Sequence, residues 1–235
     1  MILLILIVIF ALSIVIYSNR IAILSIIMSN INEQRTVSQV QASLLDKVKP
    51  IYEGFLSAAE ISDQPDSIIL LAFKKEKVLE MWFSKSERFV KVATYPILGA
   101  SGTSGPKLQE GDKQIPEGFY VIEGLNPNSL FYLSLRLNYP NTFDVKMANA
   151  EGRANPGSDI YIHGKKSSVG CLAMGDEAIE EIFYLVAKVG IEKVKVVISP
   201  YDLRLKTDFE LHEIPWITKL YKDLNIYLNN FKKSK

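Results

Sequence analysis

The sequence predicts an α+β fold, mainly β, in which a sandwich or barrel of strands is flanked by helices and preceded by an N-terminal transmembrane helix. Three observations indicate this class. Short runs rich in β-branched and aromatic residues recur between residues 68 and 137, separated by turn residues. Apolar residues repeat every three to four positions over 177–188 and 214–231, as in amphipathic helices. Residues 1–17 are apolar except for Ser13.

The N-terminal region predicts a membrane segment. A second apolar run follows Arg20, and a helix through residues 1–28 would be about 42 Å long, enough to cross a ~30 Å hydrocarbon layer with tilt. No Lys or Arg precedes the run and no clear small-residue cleavage site follows it, which favours an uncleaved anchor over a cleaved signal. Arg20 and Arg35 lie on the C-terminal flank, so charge alone weakly favours a cytoplasmic domain. The predicted segments are an anchor over 1–28, a helical linker over 29–64 and a folded domain over 65–235.

The linker is predicted as an amphipathic helix, because apolar residues recur from Val37 to Phe55 at helical spacing. Pro50 is expected to kink or divide it. The strands after it are predicted to form a mainly antiparallel sheet. They cover residues 68–73, 77–83, 89–98, 118–123, 130–137 and 193–199.

Glycine, proline and asparagine mark the predicted connections. The long loop between Tyr95 and Tyr120 is either a surface connection or a place where an extended peptide passes close to the backbone. Turns are predicted at 126–129 and 138–141, and a loop over 144–157. The helix over 177–188 is predicted to start at an Asp176 cap and to end at Gly190.

Composition excludes several classes of partner. The 27 Lys and Arg nearly balance the 26 Asp and Glu, so we expect no nucleic-acid partner. One cysteine cannot form an intramolecular disulfide, and with two histidines there is no spacing for a structural zinc site. We therefore expect no metal and no cofactor.

Residues 158–176 contain the only cysteine and one of the two histidines. A predicted strand ends near His163 and a helix follows Cys171, a connection of the kind that often holds catalytic groups. A thiol reacts as the thiolate, and a neighbouring imidazole can activate it. We predict Cys171 as nucleophile and His163 as base, with His212 as the competing base. The alternative is that a lone cysteine is simply a small buried hydrophobic residue.

Neighbouring residues complete the predicted site. Gly170 permits a backbone conformation closed to other residues, so the amides of Gly170 and Cys171 are predicted oxyanion donors. Ser168 is predicted to orient the imidazole or to hold the substrate. Asp159 lies about 13 Å along the strand from His163 at ~3.3 Å per residue, too far to orient the imidazole. No acidic orienting group can be named, and a backbone carbonyl could serve instead.

The motifs in this region resemble the signature of YkuD-type L,D-transpeptidases. Ile162-His163-Gly164 followed by Ser168-Val169-Gly170-Cys171 is similar to that family's His-Gly and Ser-x-Gly-Cys elements. The resemblance is closer to the YafK-like branch, and it extends from about residue 66 to 200. Further similar segments are Gly105-Pro106-Lys107, Gly111-Asp112, Pro116-Glu117-Gly118, residues 126–129 and Cys171-Leu172-Ala173-Met174. The common pattern has His and Arg where this chain has Val169 and Ala173.

The resemblance implies a YkuD-like fold and a cysteine enzyme of the bacterial cell envelope, membrane-anchored or exported, with its catalytic domain in the periplasm. It implies that Cys171 is acylated by the L-centre carbonyl of meso-diaminopimelate in peptidoglycan stem peptides, and that His163 is the base. An amine acceptor would give L,D-transpeptidation, and water would give hydrolysis. Release of a wall-linked lipoprotein is a hydrolytic reaction associated with the YafK-like branch.

Three more residues are predicted to bind substrate on the same resemblance: Gly164, Lys107 and Glu117. The alternative from another class is a non-catalytic peptidoglycan-binding module in which the thiol is vestigial.

Overall fold

The fold is that of a computed structural model, which describes residues 34–205 and 213–231, together with Tyr17, Asn19 and Arg20. The chain divides into one unit of residues 1–36 and another of residues 37–235. The predicted membrane segment over 1–28 falls outside the described residues apart from those three, and so does His212. Among the described helices, none is both long and apolar enough to cross a bilayer.

Eight strands and four α-helices are described in the second unit. In chain order they are α1 (Val37–Ala58), β1 (Ser67–Phe73), β2 (Val78–Lys85), β3 (Arg88–Pro96), β4 (Gly118–Ser129), β5 (Tyr132–Leu137), α2 (Thr142–Ala150), β6 (Tyr161–His163), β7 (Leu172–Ala173), α3 (Asp176–Val189), β8 (Val194–Ser199) and α4 (Pro215–Leu228). Short 3₁₀ turns lie at Ile191–Lys193 and Leu203–Leu205.

The strands form one mixed sheet in the order β3-β2-β1-β8-β4-β5-β6-β7. β8 runs parallel to β1, and β6 parallel to β7, while the other neighbours are antiparallel. The last strand, β8, pairs with β1 and β4 in the middle of the sheet and joins its two halves. Just after β3, the amides of Leu98 and Gly99 donate to the carbonyl of Ala173 in β7 at 2.8 and 3.2 Å. The two edges of the sheet meet at this point.

Helices cover both faces of the sheet, which explains why β1 is apolar throughout. Its side chains alternate between two cores, so that Leu70 belongs to the first and Leu71 to the second. The first core packs α1 and α3 against the sheet, and the second packs α4 against the opposite face. A strand that is buried on both faces reads as a continuous hydrophobic run.

Helix α1, predicted as an amphipathic helix within the linker over 29–64, packs its apolar stripe into the first core. Its buried residues recur every four positions, from Val40 through Leu44 and Val48 to Tyr52. Pro50 lies inside the helix without dividing it. Pro50 and Asp46, whose carbonyl loses its usual donor, are both exposed, so water can replace the missing hydrogen bond.

Helix α2 was not predicted, since residues 144–157 read as a loop. A capping box starts the helix: the Asn141 side chain accepts from the amides of Phe143 and Asp144, and the Asp144 carboxylate accepts from the Asn141 amide. Only Ala148 of this helix is buried. The capping residues, rather than a hydrophobic stripe, mark the helix in the sequence.

Two further boundaries differ from prediction, and both lie beside the thiol region. Residues 126–129 continue β4 instead of forming a turn, which moves the hairpin turn to Leu130 and Phe131. Helix α3 has Gly175, not Asp176, at its N-cap. The Asp176 carboxylate instead accepts from the amide and the Nζ atom of Lys165 at 2.8 and 2.7 Å. The predicted end of the helix at Gly190 is confirmed.

Candidate active site

The β6–β7 pair brings the segment that carries Cys171 beside the strand that carries His163. In this parallel register, Ile162 lies beside Leu172 and His163 beside Ala173. Cys171 immediately precedes β7 and stands two positions before the residue that pairs with His163. The loop between β6 and β7 returns the chain to the edge of β6, so Cys171 lies next to the strand that carries His163.

The imidazole of His163 is buried, with only 2% of its surface exposed. Its Nδ1 atom lies 2.6 Å from the carbonyl oxygen of Gly164. Because a carbonyl can only accept, Nδ1 must carry the hydrogen, and in the neutral ring Nε2 then has the lone pair. Burial lowers the pKa of His163, so the neutral ring is favoured. A backbone carbonyl thus orients the imidazole, which sequence reasoning had left as an open alternative.

Gly164 is held too tightly to accept a side chain. A Cβ atom there would lie 2.7 Å from the carbonyl oxygen of Phe131 and 2.9 Å from Oδ1 of Asp176. The amide of Gly164 also donates to the carbonyl of Leu133 at 3.0 Å. These contacts fix the carbonyl that orients His163. Gly164 was predicted to bind substrate, and in this structure its backbone packs against its own chain.

Cys171 is half-buried, and its thiol is protonated at rest. The Sγ atom donates to the carbonyl of Asp159 at 3.7 Å. Burial, first, and the negative charge of Asp159 raise the pKa of the thiol, outweighing a hydrogen bond from the Tyr161 backbone. Within the described residues no hydrogen bond joins the sulfur to His163. The resting pair is therefore a neutral thiol and a neutral imidazole.

Serine hydroxyls accept hydrogen bonds from both amides that were predicted as oxyanion donors. The Cys171 amide donates to Oγ of Ser168 at 2.9 Å, and that hydroxyl donates to the Cys171 carbonyl at 2.6 Å. The Gly170 amide donates to Oγ of Ser101 at 2.6 Å. Ser168 closes the turn that carries the thiol, and its described bonds do not reach the imidazole. Gly170 has a φ of 87°, the left-handed region that glycine adopts without strain.

Ser101 is a residue that the sequence analysis missed. Its hydroxyl donates to the Lys113 carbonyl at 2.8 Å while accepting from Gly170. It therefore ties the long loop between β3 and β4 to the residue that precedes Cys171. The only signal in the sequence was its position in the glycine-rich run of that loop, which does not distinguish it from Thr103 or Ser104.

Lys107, predicted to bind substrate, is 7% exposed and belongs to the interior of the same loop. Its Nζ atom donates to Asp112 at 2.8 Å and to the Gln109 carbonyl at 2.9 Å. The Asp112 carboxylate also accepts from three backbone amides of the loop. In this arrangement Lys107 and Asp112 hold the loop in shape.

Glu117, the other predicted charged contact, is 1% exposed. Its carboxylate accepts from Lys74 at 2.8 Å and from the hydroxyl of Tyr221 at 2.7 Å. These bonds connect the end of the loop to β1 and α4. Both carboxylate oxygens are thus occupied by partners within the protein.

Metal ligands do not gather around the thiol or elsewhere in the described part of the chain, where no three His, Cys, Asp or Glu side chains form a cluster. The chemistry available at the site is that of a thiol, an imidazole and backbone amides.

Residues 69–198 match the L,D-transpeptidase catalytic domain family, YkuD. The matched stretch runs from β1 to β8 and includes both His163 and Cys171. The chain belongs to this family. The α+β architecture, a mixed sheet with flanking helices, is YkuD-like, and the resemblance found in the motifs is confirmed.

The chain is also similar to a curated relative and to several solved structures. The chain is 32% identical over 141 residues to YafK of Escherichia coli (strain K12), a protein named as an L,D-transpeptidase. The match covers 58% of this chain and 55% of YafK, so the chain spans about half the length of the curated relatives it matches. Among solved structures, the helical cell shape determining protein Pgp2 from Campylobacter jejuni has a TM-score of 0.46 at 19% identity, covering 78% of each chain. Mycobacterium tuberculosis L,D-transpeptidase 1 has a TM-score of 0.31 at 14% identity, covering 56% of this chain and 61% of that chain.

Proposed function

We propose that this L,D-transpeptidase family member is a cysteine-dependent enzyme of peptidoglycan, with a role in wall biogenesis. The observation that carries the proposal is the pairing of β6 with β7, which brings Cys171, the residue just before β7, beside the strand that ends at His163. The Nδ1 atom of His163 is bound to a carbonyl, so Nε2 is left as the base. The proposed substrate is a stem peptide, and the reacting group is the L-centre carbonyl of meso-diaminopimelate.

Acylation starts when the Cys171 thiol gives its proton to Nε2 of His163 as the sulfur attacks the carbonyl carbon. The new S–C bond produces a tetrahedral intermediate with a negatively charged oxygen. Collapse of this intermediate breaks the C–N bond, and the imidazolium returns the proton to the departing amine, such as D-alanine. The sulfur must first leave the Asp159 carbonyl, with which it is bonded at rest.

The amides of Gly170 and Cys171 are the proposed donors to that oxygen. Both now donate to hydroxyls, of Ser101 and Ser168, so the developing oxyanion has to displace a hydroxyl from at least one of them. A negatively charged oxygen is a stronger acceptor than a hydroxyl, which favours the exchange. Loss of one such donor typically slows the chemical step about 100- to 1,000-fold.

The second half-reaction needs an acceptor that attacks the thioester carbonyl and returns the sulfur to the thiol. An amine would form a cross-link, and water would release a trimmed stem peptide or a wall-linked lipoprotein. His163 would remove the acceptor's proton in either case. Because peptidoglycan lies outside the cytoplasmic membrane, we also propose that the domain is periplasmic and that residues 1–28 anchor it.

Intact-mass analysis tests the acylation step. Incubation with diaminopimelate-containing muropeptides or a carbapenem is expected to add the acyl mass to the native chain and to leave the Cys171→Ala variant unchanged. Absence of an adduct with both reagents would exclude the thioester mechanism. If the Cys171→Ala variant then bound muropeptides with unchanged affinity, the alternative of a non-catalytic wall-binding module would replace the proposal.

Product analysis separates the two acceptors. A dimeric muropeptide indicates transpeptidation, whereas a shortened stem or a freed lipoprotein indicates hydrolysis. Oxygen from ¹⁸O-labelled water enters the new carboxylate only in the hydrolytic reaction.

A further inference from the structure

A concave site lies beside the loop that contacts Gly170. This cavity of about 490 Å³ is bounded by the β1–β2 turn, by residues 100–105, and by Pro200, Tyr201 and Tyr221. Three lysines line it, Lys74, Lys75 and Lys77, against one carboxylate, that of Glu117. A cavity of this size accommodates a small organic ligand or one group of a larger one.

The floor of the cavity is internally neutralised. Lys74 donates to Glu117 at 2.8 Å and to the carbonyls of Gly105 and Ile115 at 2.7 and 2.9 Å, which satisfies its three hydrogens. Tyr221 satisfies the other oxygen of Glu117. The floor is therefore rigid and offers a ligand no net charge.

The rim is positively charged. Lys75 and Lys77 are exposed, and the described part of the chain contains no ion pair or side-chain hydrogen bond for either. Glu76 lies between them in the sequence but is not part of the lining. Two lysines without a compensating acidic group therefore face the cavity.

Residues 100–105, which form one wall of the cavity, add hydrogen-bond donors. Residues 101–105 read Ser-Gly-Thr-Ser-Gly, and Gly102 and Gly105 have φ values of 94° and 101°. The Thr103 amide donates to the Gln114 side chain, whereas the amides of Gly102, Ser104 and Gly105 have no acceptor among the described residues. Glycine-rich segments with free amides beside lysines suit oxyanions, because both the amide dipoles and the ammonium charges attract them.

We infer that this cavity binds an oxyanion-bearing ligand, carrying a carboxylate or a phosphate, through Lys75, Lys77 and the amides of Gly102, Ser104 and Gly105. The site does not depend on the chemistry of Cys171. It adjoins the thiol loop all the same, since Ser101 lines the cavity and accepts the Gly170 amide at 2.6 Å. A ligand bound here contacts the segment that holds the residue before the nucleophile.

The test is an amide NMR titration of the full-length chain in a nonionic detergent, at constant ionic strength. Succinate, inorganic phosphate and the uncharged succinamide serve as three separate probes. Saturable shifts of the residue 101–105 amides with succinate, phosphate or both, and none with succinamide, are expected. The two anions distinguish a carboxylate ligand from a phosphate ligand.

Substitution of the two rim lysines tests whether the anion binds in this cavity. The double variant Lys75→Gln/Lys77→Gln is expected to weaken the apparent affinity for the anion roughly fivefold or more, because two exposed cations are removed. Lys195→Gln, at an exposed lysine of β8 outside the cavity, is the matched control and should bind as the native chain does. Linear shifts without saturation, equal binding of succinamide, or unchanged affinity in the double variant would each overturn the inference. None of these outcomes depends on whether Cys171 is acylated.

Discussion

The ring of Phe131 lies against the imidazole of His163, with centroids 4.5 Å apart and planes tilted by 36°. Phe131 is 42% exposed, yet it covers a histidine that is 2% exposed. It reaches this position because β4 runs through residues 126–129 and the hairpin turns at Leu130 and Phe131. A side chain at the turn of the β4–β5 hairpin thereby covers the base that β6 carries.

Removal of this ring should change the titration of His163. Burial lowers the pKa of His163, so Phe131→Leu, which admits water, is expected to raise the pKa towards the ordinary value of about 6.5. Phe131→Tyr keeps the ring and should leave the pKa low. Imidazole carbon shifts followed by NMR against pH measure both, with His163→Gln assigning the signal. An unchanged pKa in Phe131→Leu would show that the covering ring does not set the environment of the base.

The thiol should react slowly at neutral pH. Because burial raises the pKa of Cys171, the thiolate fraction is small at pH 7 and the rate of alkylation by iodoacetamide should rise about tenfold per pH unit towards and beyond pH 9. His163→Ala should alter this profile little, since no resting ion pair with the imidazole is present to stabilise the thiolate. Fast alkylation near pH 6 that disappears in His163→Ala would instead demonstrate a thiolate–imidazolium pair at rest.

The acylation reaction should have a different pH profile from alkylation. The depressed pKa of His163 keeps the imidazole neutral and able to accept a proton at pH values where an exposed histidine is already charged. Acylation should therefore persist as the pH falls through about 6.5 and decline only below it. Stopped-flow acylation rates measured from pH 5 to 9 provide the check, and a decline centred above pH 7 would contradict it.

Substitution of Glu117 tests whether its carboxylate stabilises the fold or contacts the substrate. Glu117→Gln leaves the Lys74 ammonium, 9% exposed, without its counter-charge, and loss of one partner of a buried pair typically costs about 3–5 kcal/mol. Tyr221→Phe removes a hydrogen bond to the same carboxylate and should cost less, about 1–3 kcal/mol. Urea denaturation followed by tryptophan fluorescence measures both losses. Unchanged stability with lost muropeptide binding would restore Glu117 as a substrate contact.

Asp144 should make stability depend on pH. Burial raises its pKa to about 6, so its charged form is less stable in the folded protein than in the unfolded chain. A folded-state pKa above the unfolded value means that stability is fully present below about pH 4 and is lost as the pH rises through 6. Asp144→Asn should thus match the native protein near pH 4 and exceed its stability by up to ~3 kcal/mol at pH 7.

Denaturation curves at several pH values test the Asp144 effect. Asp46→Asn, the same substitution at an exposed position, is the matched control for the change of side chain. A constant difference between Asp144→Asn and the native protein at all pH values would attribute the effect to the helix cap rather than to ionisation.

Strands and amphipathic helices were predictable because their periodicity is local. The apolar run of β1 and the apolar stripe of α3 are visible within ten or so residues, and so is the motif from His163 to Cys171. Helix α2 was missed because its start depends on the Asn141 and Asp144 cap, and only Ala148 of it is buried. The position of β8 in the middle of the sheet was not predictable, because its partners β1 and β4 are distant in the sequence.

The sequence by itself determined the family, the identities of the thiol and the imidazole, and the loop length that separates them. Only the tertiary structure decided the surroundings of that pair: the Gly164 carbonyl on Nδ1, the Phe131 ring over the imidazole, and the Ser101 hydroxyl on the Gly170 amide. The physical reason is that the sequence states the chemical identity of each residue directly. Protonation and hydrogen-bond state, in contrast, depend on burial and on contacts that arise only when the hairpin, the long loop and β7 meet.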